Sequence, residues 1–387
     1  MSEVYCGIDF GTSNTTIGIS DPAGTRLLPL EGDHRTLPSA MFFEAGGGAV
    51  HFGRSAIDHY LEGADGRFMR ALKSILGTRL INEKTYIQRR MMPFSAILGI
   101  YFENLKRQTE SKLQREICEV VVGRPVRFVD ADDAADLEAQ NSLKAIALEQ
   151  GFRTVEFQYE PIAAALDYEQ GVSREELVLI VDIGGGTSDF SIVRVSPDRR
   201  TKPERADDIL SNGGVHIGGT DFDRLLSLRS VMPHLGFGSF TADRKRNLPS
   251  GYFHDLATWH RVNQLYKKNV LGELRQVRYE AERRDLVDRF IRIVENRQGH
   301  SIAIAVERAK IELTSSLEAK AAIDGQGAWA HFLITRDEFH DAIDDAVLRV
   351  IATIKGVLNS ASVGADKIDT VVLTGGSSMV PLLRDSK

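Results

Sequence analysis

β-type runs and helical stripes follow one another along the whole chain. Residues 4–20 pattern as two β segments around a tight turn. A basic, helix-prone stretch, RFMRALKSILGTRL, covers 67–80, and residues 94–113 carry apolar positions on one helical face. A β-rich run over 116–128 closes on Gly123 and Pro125. A helix over 133–152 ends at Gly151, a strand over 154–161 leads into Pro161, and a small-residue helix over 162–171 closes on Gly171. Strand, turn and strand return over 176–195, and a glycine-rich loop enters a helix over 213–228. Residues 229–300 are mostly helical, with Leu286, Val287, Phe290, Ile291 and Val294 at helical spacing within 278–297. Helices over 302–316 and 337–361 follow, then a strand, a glycine turn and a helix start over 368–383. This mixture predicts α/β or α+β architecture rather than a bundle or a sandwich.

One pattern occurs twice. GIDFGTSNTTIGIS at 7–20 and VDIGGGTSDFSIV at 181–193 each end an apolar run on an aspartate, turn through glycine and hydroxyl residues, and resume the run. The repeat lies a domain's length apart, which predicts two similar lobes. A hairpin needs one glycine or an Asn-Gly pair, and three glycines exceed that. Glycine permits positive φ and lets backbone N–H groups converge on an anion, to which Thr and Ser hydroxyls add donors. A carboxylate beside a phosphate makes sense with Mg²⁺ between them. Two hairpins with glycine bulges would explain either stretch alone. The pair, with VVLTGGSSMVP as a third glycine loop, favours a polyphosphate and a metal.

Composition narrows this little: 42% hydrophobic, 26% charged and a net charge of −6 describe an ordinary globular chain that is not an evident nucleic-acid binder. Cys6 and Cys118 cannot form a disulfide framework and are expected to be buried thiols in a reducing compartment. A first strand from about residue 4 leaves no room for a signal peptide, and no apolar run reaches spanning length, so a cytoplasmic protein away from membranes is expected. The P-loop, the dinucleotide fingerprint and the zinc motifs are absent. DFG at 9–11 lacks the upstream catalytic loop of a protein kinase.

In order along the chain, GIDFGTSNT, YEPIAAALDY, VDIGGGTSDFS, GGVHIGGTDFD, ERAKIELTSS and LTGGSSMVP resemble the nucleotide-binding domain of the DnaK-type (70-kilodalton heat-shock) chaperones, within the actin and sugar-kinase superfamily. The resemblance implies an α/β, two-lobed actin-like ATPase fold: duplicated ribonuclease-H-like domains around a nucleotide cleft, binding ATP or ADP with Mg²⁺. It implies lobe I at 1–172 and lobe II at 173–387, with a helical cap at about 224–315. Asp9 and Asp182 would position the metal through water, with Glu160 as a further carboxylate. Gly11, Thr12, Ser13 and Asn14 would meet the phosphates from lobe I; Gly184, Gly185, Gly186 and Thr187 would do so from lobe II, under a loop containing Gly218 and Gly219. Lys73 and Asp189 fall where the family orients the attacking water. Glu307, Lys310 and Thr314 would contact the nucleoside, and Gly375, Gly376 and Ser377 would close its other side. Without the resemblance, Lys73 reads as a solvated lysine, Glu160 as a strand end, and Lys310 as a helix-surface partner of Glu307.

The chain departs from the family pattern. Ile311 and Met379 stand where the family has arginines against adenine, and Asp133 stands where it has an arginine that relays nucleotide state after Pro125. The given sequence stops at Lys387, before the family's closing helix and peptide-binding domain would come, which is read either as a truncated chain or as a divergent member that ends there. The cap segment is longer than usual and carries DRKRN, YKKN, Tyr252, Phe253, Trp259 and Tyr266; it reads as a solvated helical subdomain, a protein-partner surface or, less readily, a nucleic-acid patch. The preferred expectation is an ATP-hydrolysing, heat-shock-type, chaperone-like protein. The alternative is a nucleotide-gated scaffold with little hydrolysis that acts through a partner contact on the cap; a small-molecule kinase is a third reading.

Overall fold

A computed structural model describes residues 4–129, 132–322 and 331–384. The chain divides into two compact units that no single cut in sequence separates: residues 1–181, 190–212 and 357–372 form unit 1, and residues 182–189, 213–356 and 373–387 form unit 2.

The chain opens with strands β1 (Tyr5–Phe10), β2 (Asn14–Asp21), β3 (Gly24–Leu27) and β4 (Leu37–Pro38). A small sheet follows from β5 (Ala40–Glu44), β6 (Val50–Phe52) and β7 (Gly66–Arg70), with helix α1 (Gly53–Leu61) between the last two. The hairpin β8 (Lys84–Ile87) and β9 (Arg90–Pro93) leads into α2 (Phe94–Leu113), then β10 (Glu119–Arg124), α3 (Asp133–Glu149), β11 (Thr154–Tyr159) and α4 (Glu160–Glu169). Strands order as β11-β10-β1-β2-β3, with β4 beside β2. β1 is parallel to β10 and antiparallel to β2, with Ile8 opposite both Val122 and Ile17. α2 covers the bounds expected from its stripe because Ile97, Leu98, Tyr101, Phe102 and Leu105 all bury on one face. Phe10 packs edge-on to Phe102 with centroids 5.4 Å apart, so the strand that ends beside Asp9 is anchored in the core. At α3 the Asp132 carboxylate caps the amide of Ala135 at 3.0 Å, and Gly151, at φ +88°, ends the helical path where glycine is needed.

The chain continues through β12 (Glu176–Ile183), β13 (Ser188–Val195) and β14 (Ile209–Val215) into α5 (Gly219–Leu226). Helices α6 (Gly251–Ala257), α7 (Val270–Glu280), α8 (Arg284–Glu295) and α9 (Gly299–Glu312) precede the hairpin β15 (Glu318–Ala322) and β16 (His331–Thr335). Long α10 (Arg336–Ser360), β17 (Thr370–Thr374) and short α11 (Pro381–Arg384) complete the described chain. A second sheet orders β14-β13-β12-β17.

Two expectations are corrected. Residues 67–80 are not a helix: Phe68 of β7 pairs with Phe42 of β5, Ala71 takes a left-handed conformation, and the helical turns are short 3₁₀ ones, Leu72–Ile75, which buries Leu72 and Ile75, and Arg79–Asn82. Gly77 at φ +74° separates the two turns. The apolar residues at helical spacing within 278–297 all fall in α8, which starts after a break where Ala281 is extended and buried; Leu286 is half-buried while Val287, Phe290, Ile291 and Val294 bury. Cys6 is buried, which pushes its thiol up to about 12, but Cys118 is only half-buried.

Candidate functional site

In unit 1, three predicted residues meet. Asp9 lies one residue before the end of β1, Glu160 opens α4, and Lys73 sits in the 3₁₀ turn. Lys73 Nζ contacts Glu160 Oε1 at 2.8 Å, with side chains only 15% and 23% exposed, so Lys73 is not a solvated lysine. Glu160 lies across Gly123 of β10, where a Cβ would come within 3.4 Å of its Cγ. The Asp9 carboxyl is reached by solvent although protein surrounds it on most sides. The resulting desolvation, reinforced by negative Glu160 and opposed by Lys73, pushes it up to about 6. Two repelling carboxylates beside one ammonium, all oxygen donors on the acidic side, suit a hard cation such as Mg²⁺ better than a transition metal.

The first turn is held from behind by a hydroxyl chain that the sequence did not reveal. Ser39 Oγ donates to the carbonyl of Gly11 at 2.7 Å, so its only proton is used. Thr15 Oγ1 therefore donates to Ser39 Oγ at 2.9 Å, and the Tyr101 hydroxyl donates to Thr15 Oγ1 at 2.9 Å. Burial pushes the Tyr101 phenol up to about 12, keeping it a donor. The amide of Ser39 also donates to the Ser13 carbonyl at 2.9 Å. Carbonyls 11 and 13 are thus fixed toward the protein.

In unit 2 the second turn repeats the first. Gly184, two residues after Asp182, donates its amide to the carbonyl of Thr187 at 2.9 Å; Gly11, two residues after Asp9, donates to Asn14 at 3.0 Å. Among the described residues, no protein acceptor is found for the amides of Thr12, Ser13, Gly185, Gly186 and Thr187. None of Gly11, Gly184, Gly185 and Gly186 adopts positive φ; close approach requires glycine at Gly11 and at Gly218, whereas Gly186 has open space around it. A Cβ on Gly11 would fall 2.4 Å from the Asn14 carbonyl oxygen, and one on Gly218 within 2.6 Å of the Gly186 amide. The start of α5 occupies the loop's carbonyls: Gly219 N donates to Gly184 O at 2.9 Å and Thr220 N to Gly185 O at 2.8 Å. This leaves the amide side of the turn for an anion.

Gly375, at φ +79°, brings the third loop against the same strand end, where a Cβ would meet Asp182 Oδ1 at 2.5 Å. Gly376 has open space around it, while Ser377 Oγ approaches Gly219. Lys310 is buried and pairs with Asp223 at 2.8 Å and the Gly219 carbonyl at 3.1 Å, so Glu307 one turn earlier is not the partner that fixes it. Thr314 spends its hydroxyl proton on the Ile311 carbonyl at 2.7 Å. Thr187 Oγ1 donates to Asp189 Oδ2 at 3.1 Å. Ile311 and Met379 are 59% and 57% exposed, apolar side chains left in water.

The cap segment is packed inward. Phe253 stacks edge-on to Phe290 at 5.1 Å, Tyr252 donates to Glu273 at 2.8 Å, Trp259 lies edge-on to His300 at 4.7 Å, and the Tyr266 hydroxyl accepts the Gly299 amide at 3.0 Å. Arg244 and Arg246 of DRKRN pair with Glu282 and Glu280. Asp133 pairs with Arg127 at 2.6 Å.

The fold and these turns define an α/β chain with the actin-like ATPase fold. The model of the family described as Hsp70 protein matches residues 5–231 and 288–386, and the chain belongs to that family. Residues 232–287, within the cap, lie outside the match. Over 99% of its length the chain is 27% identical to the chaperone protein DnaK of Thermotoga petrophila and of Thermosipho melanesiensis, and 26% identical to that of Thermosipho africanus. It spans 54% of each relative, about half their length. Among the described residues no helix is long and apolar enough to cross a membrane.

Proposed function

We propose that the chain binds Mg-ATP and hydrolyses it to ADP and phosphate, in the cytoplasm, as the nucleotide-dependent part of a chaperone-like activity. The observation that carries this reading is the repeated turn: each unit places amides for which no protein acceptor is found among the described residues three to five residues after an aspartate one short of its strand's end. Asp9, Glu160 and Asp182 would hold Mg²⁺, chiefly through its water shell. Bound there, the ion would neutralise phosphate charge. The amides of 12–13 and 185–187 donate to phosphate oxygens. Lys73, held by Glu160, adds positive charge beside the terminal phosphate and orients water; Asp189, which accepts the Thr187 hydroxyl, is a further candidate for orienting water. The loop of Gly375, Gly376 and Ser377 and the helix face of Glu307 and Lys310 receive the nucleoside.

A second reading is a nucleotide-gated scaffold with little turnover. Exposed Ile311 and Met379 favour it, because they remove guanidinium stacking from adenine, and so does the cap segment outside the family match, as a contact surface for a protein partner. One experiment separates the two. Mg-dependent phosphate release is measured in wild type and Lys73→Ala, with nucleotide affinity by calorimetry in Asp9→Asn and Asp182→Asn. Hydrolysis predicts a fall of about a hundredfold or more in the lysine variant. Tight binding without turnover in wild type supports the scaffold. Wild-type affinity in both aspartate variants removes the metal assignment.

A further inference from the structure

We infer that unit 1 carries a second metal site, for Zn²⁺ or an ion of similar softness, formed by Glu44, His51 and His59. Among the described residues these three alone bring His, Cys or carboxylate ligand atoms within 4.8 Å of one another as a group of three. The sequence hides the cluster because its members sit on three elements. Glu44 ends β5, His51 is central in β6, and His59 lies in α1. Phe42 stands opposite His51 in the β5–β6 register, and Glu44 shares its face two residues on. α1 lies against that face and brings His59 to it, with both imidazoles near the buried ring of Phe42 at 6.4 and 6.2 Å.

The atoms that would not touch a metal already have partners, as orienting groups around metal ligands do. His59 Nδ1 donates to the Ser55 carbonyl at 2.8 Å, which leaves Nε2 as a lone pair. Glu44 Oε2 accepts the amide of Ala49 at 3.2 Å, leaving Oε1 for the site. Gly48 makes room for that carboxylate, since a Cβ there would lie 2.3 Å from Oε2. His51 Nε2 now donates to Glu44 Oε1 at 2.8 Å, and its Nδ1 faces Ser55 Oγ at 3.4 Å. When an ion replaces that Nε2 proton, the proton moves to Nδ1, where the serine oxygen accepts it, and none need be lost. The stacked rings, with centroids 3.6 Å apart, open as the ion enters; both are half-buried and have room to turn. Two imidazoles and one carboxylate select zinc-like ions over Mg²⁺ and leave a fourth position for water. This set is separate from Asp9, Lys73 and Glu160, so it stands whether or not the nucleotide reading does.

The test titrates Zn²⁺ by calorimetry into the protein under excess Mg²⁺, which occupies oxygen-only sites, and repeats it with Co²⁺ followed by visible absorption. Wild type is expected to bind one equivalent and to give the intense spectrum of a low-coordinate cobalt centre. His51→Ala, His59→Ala and Glu44→Gln should each weaken binding by about tenfold or more and abolish the spectrum, while His331→Ala, on exposed β16, keeps both. Metal-free melting temperatures show whether each variant is folded, and the isosteric Glu44→Gln is the one least able to unfold the site. In wild type itself Zn²⁺ must shift the ring-proton resonances of two histidines. No stoichiometric binding, or wild-type binding in all three variants, reduces the cluster to a hydrogen-bonded surface group and overturns the inference.

Discussion

Asp9 is held at a cost to the fold. An unfolded aspartate titrates near about 4, whereas here desolvation and Glu160 raise it to about 6. Between those pH values the folded chain keeps a proton that the unfolded chain has released. The stability contributed by this group is therefore present below the lower value and lost as pH rises to the upper one. Asp9→Asn should remove that slope: in metal-free protein, chemical-denaturation midpoints between pH 4 and 6.5 should change less in the variant, and at pH 7 it should be at least as stable as wild type. A variant profile that follows wild type would show that the carboxyl is not perturbed. A carboxyl raised by desolvation and a neighbouring like charge, near a strand end beside Lys73, is what a binding site rather than a core would contain. Tyr101, Thr15 and Ser39 make the same point from the other side. They spend buried hydroxyls on fixing the Gly11 carbonyl, and nothing in their sequence spacing announces it.

At the scale of elements, the join between α4 and the strands after it rests on a buried ionic cluster. Arg205 donates two bonds to Glu169, at 2.9 and 3.0 Å, and reaches Asp208, with the three side chains no more than 3% exposed. Glu169 Oε1 also accepts the amide of Ser196 at 3.1 Å, which ties the end of α4 to the end of β13. Removing Arg205 leaves Glu169 buried without a cation, while Asp208 keeps its pair with Arg199. Arg205→Met is expected to cost about 3–5 kcal/mol, read as a lower urea midpoint with unchanged slope. A loss below about 1 kcal/mol would mean that water replaces the guanidinium. The element most clearly legible in the sequence was α2, because a single apolar stripe of twenty residues buries as a unit. The stretch over 67–80 misled for the opposite reason. Its upstream half pairs with β5, and long-range strand pairing overrides local helix propensity.

For the whole molecule, the chain passes between its two units at 181, 189, 212, 356 and 372. Unit 1 therefore draws part of its core from distant sequence: Ile162, Ala165 and Val172 pack in one cluster with Val178, Ile180, Val193 and Val195. A fragment of residues 1–172 lacks the last four and also Arg205. It should show a broad, weakly cooperative unfolding transition by circular dichroism, where residues 1–387 unfold steeply. A sharp transition in the fragment would show that the first sheet and its helices stand alone.

The sequence by itself determined the alternation of strands and helices, the two aspartate turns and their order among the later motifs. Those features are local: a turn needs only its own residues, and a repeated turn can be read wherever it falls. Positive φ, one of the two reasons the sequence offered for the glycines, is not what Gly11, Gly184, Gly185 and Gly186 adopt; the service of Gly11 and Gly218 to neighbouring backbone depends on what approaches them. Only the tertiary structure decided that Lys73 belongs to Glu160, that Lys310 belongs to Asp223, and that Glu44, His51 and His59 share one face. Each pairing joins separate elements. Folding brings such residues together through the packing of apolar faces, and polar residue identity along the chain carries no record of which partner that packing selects.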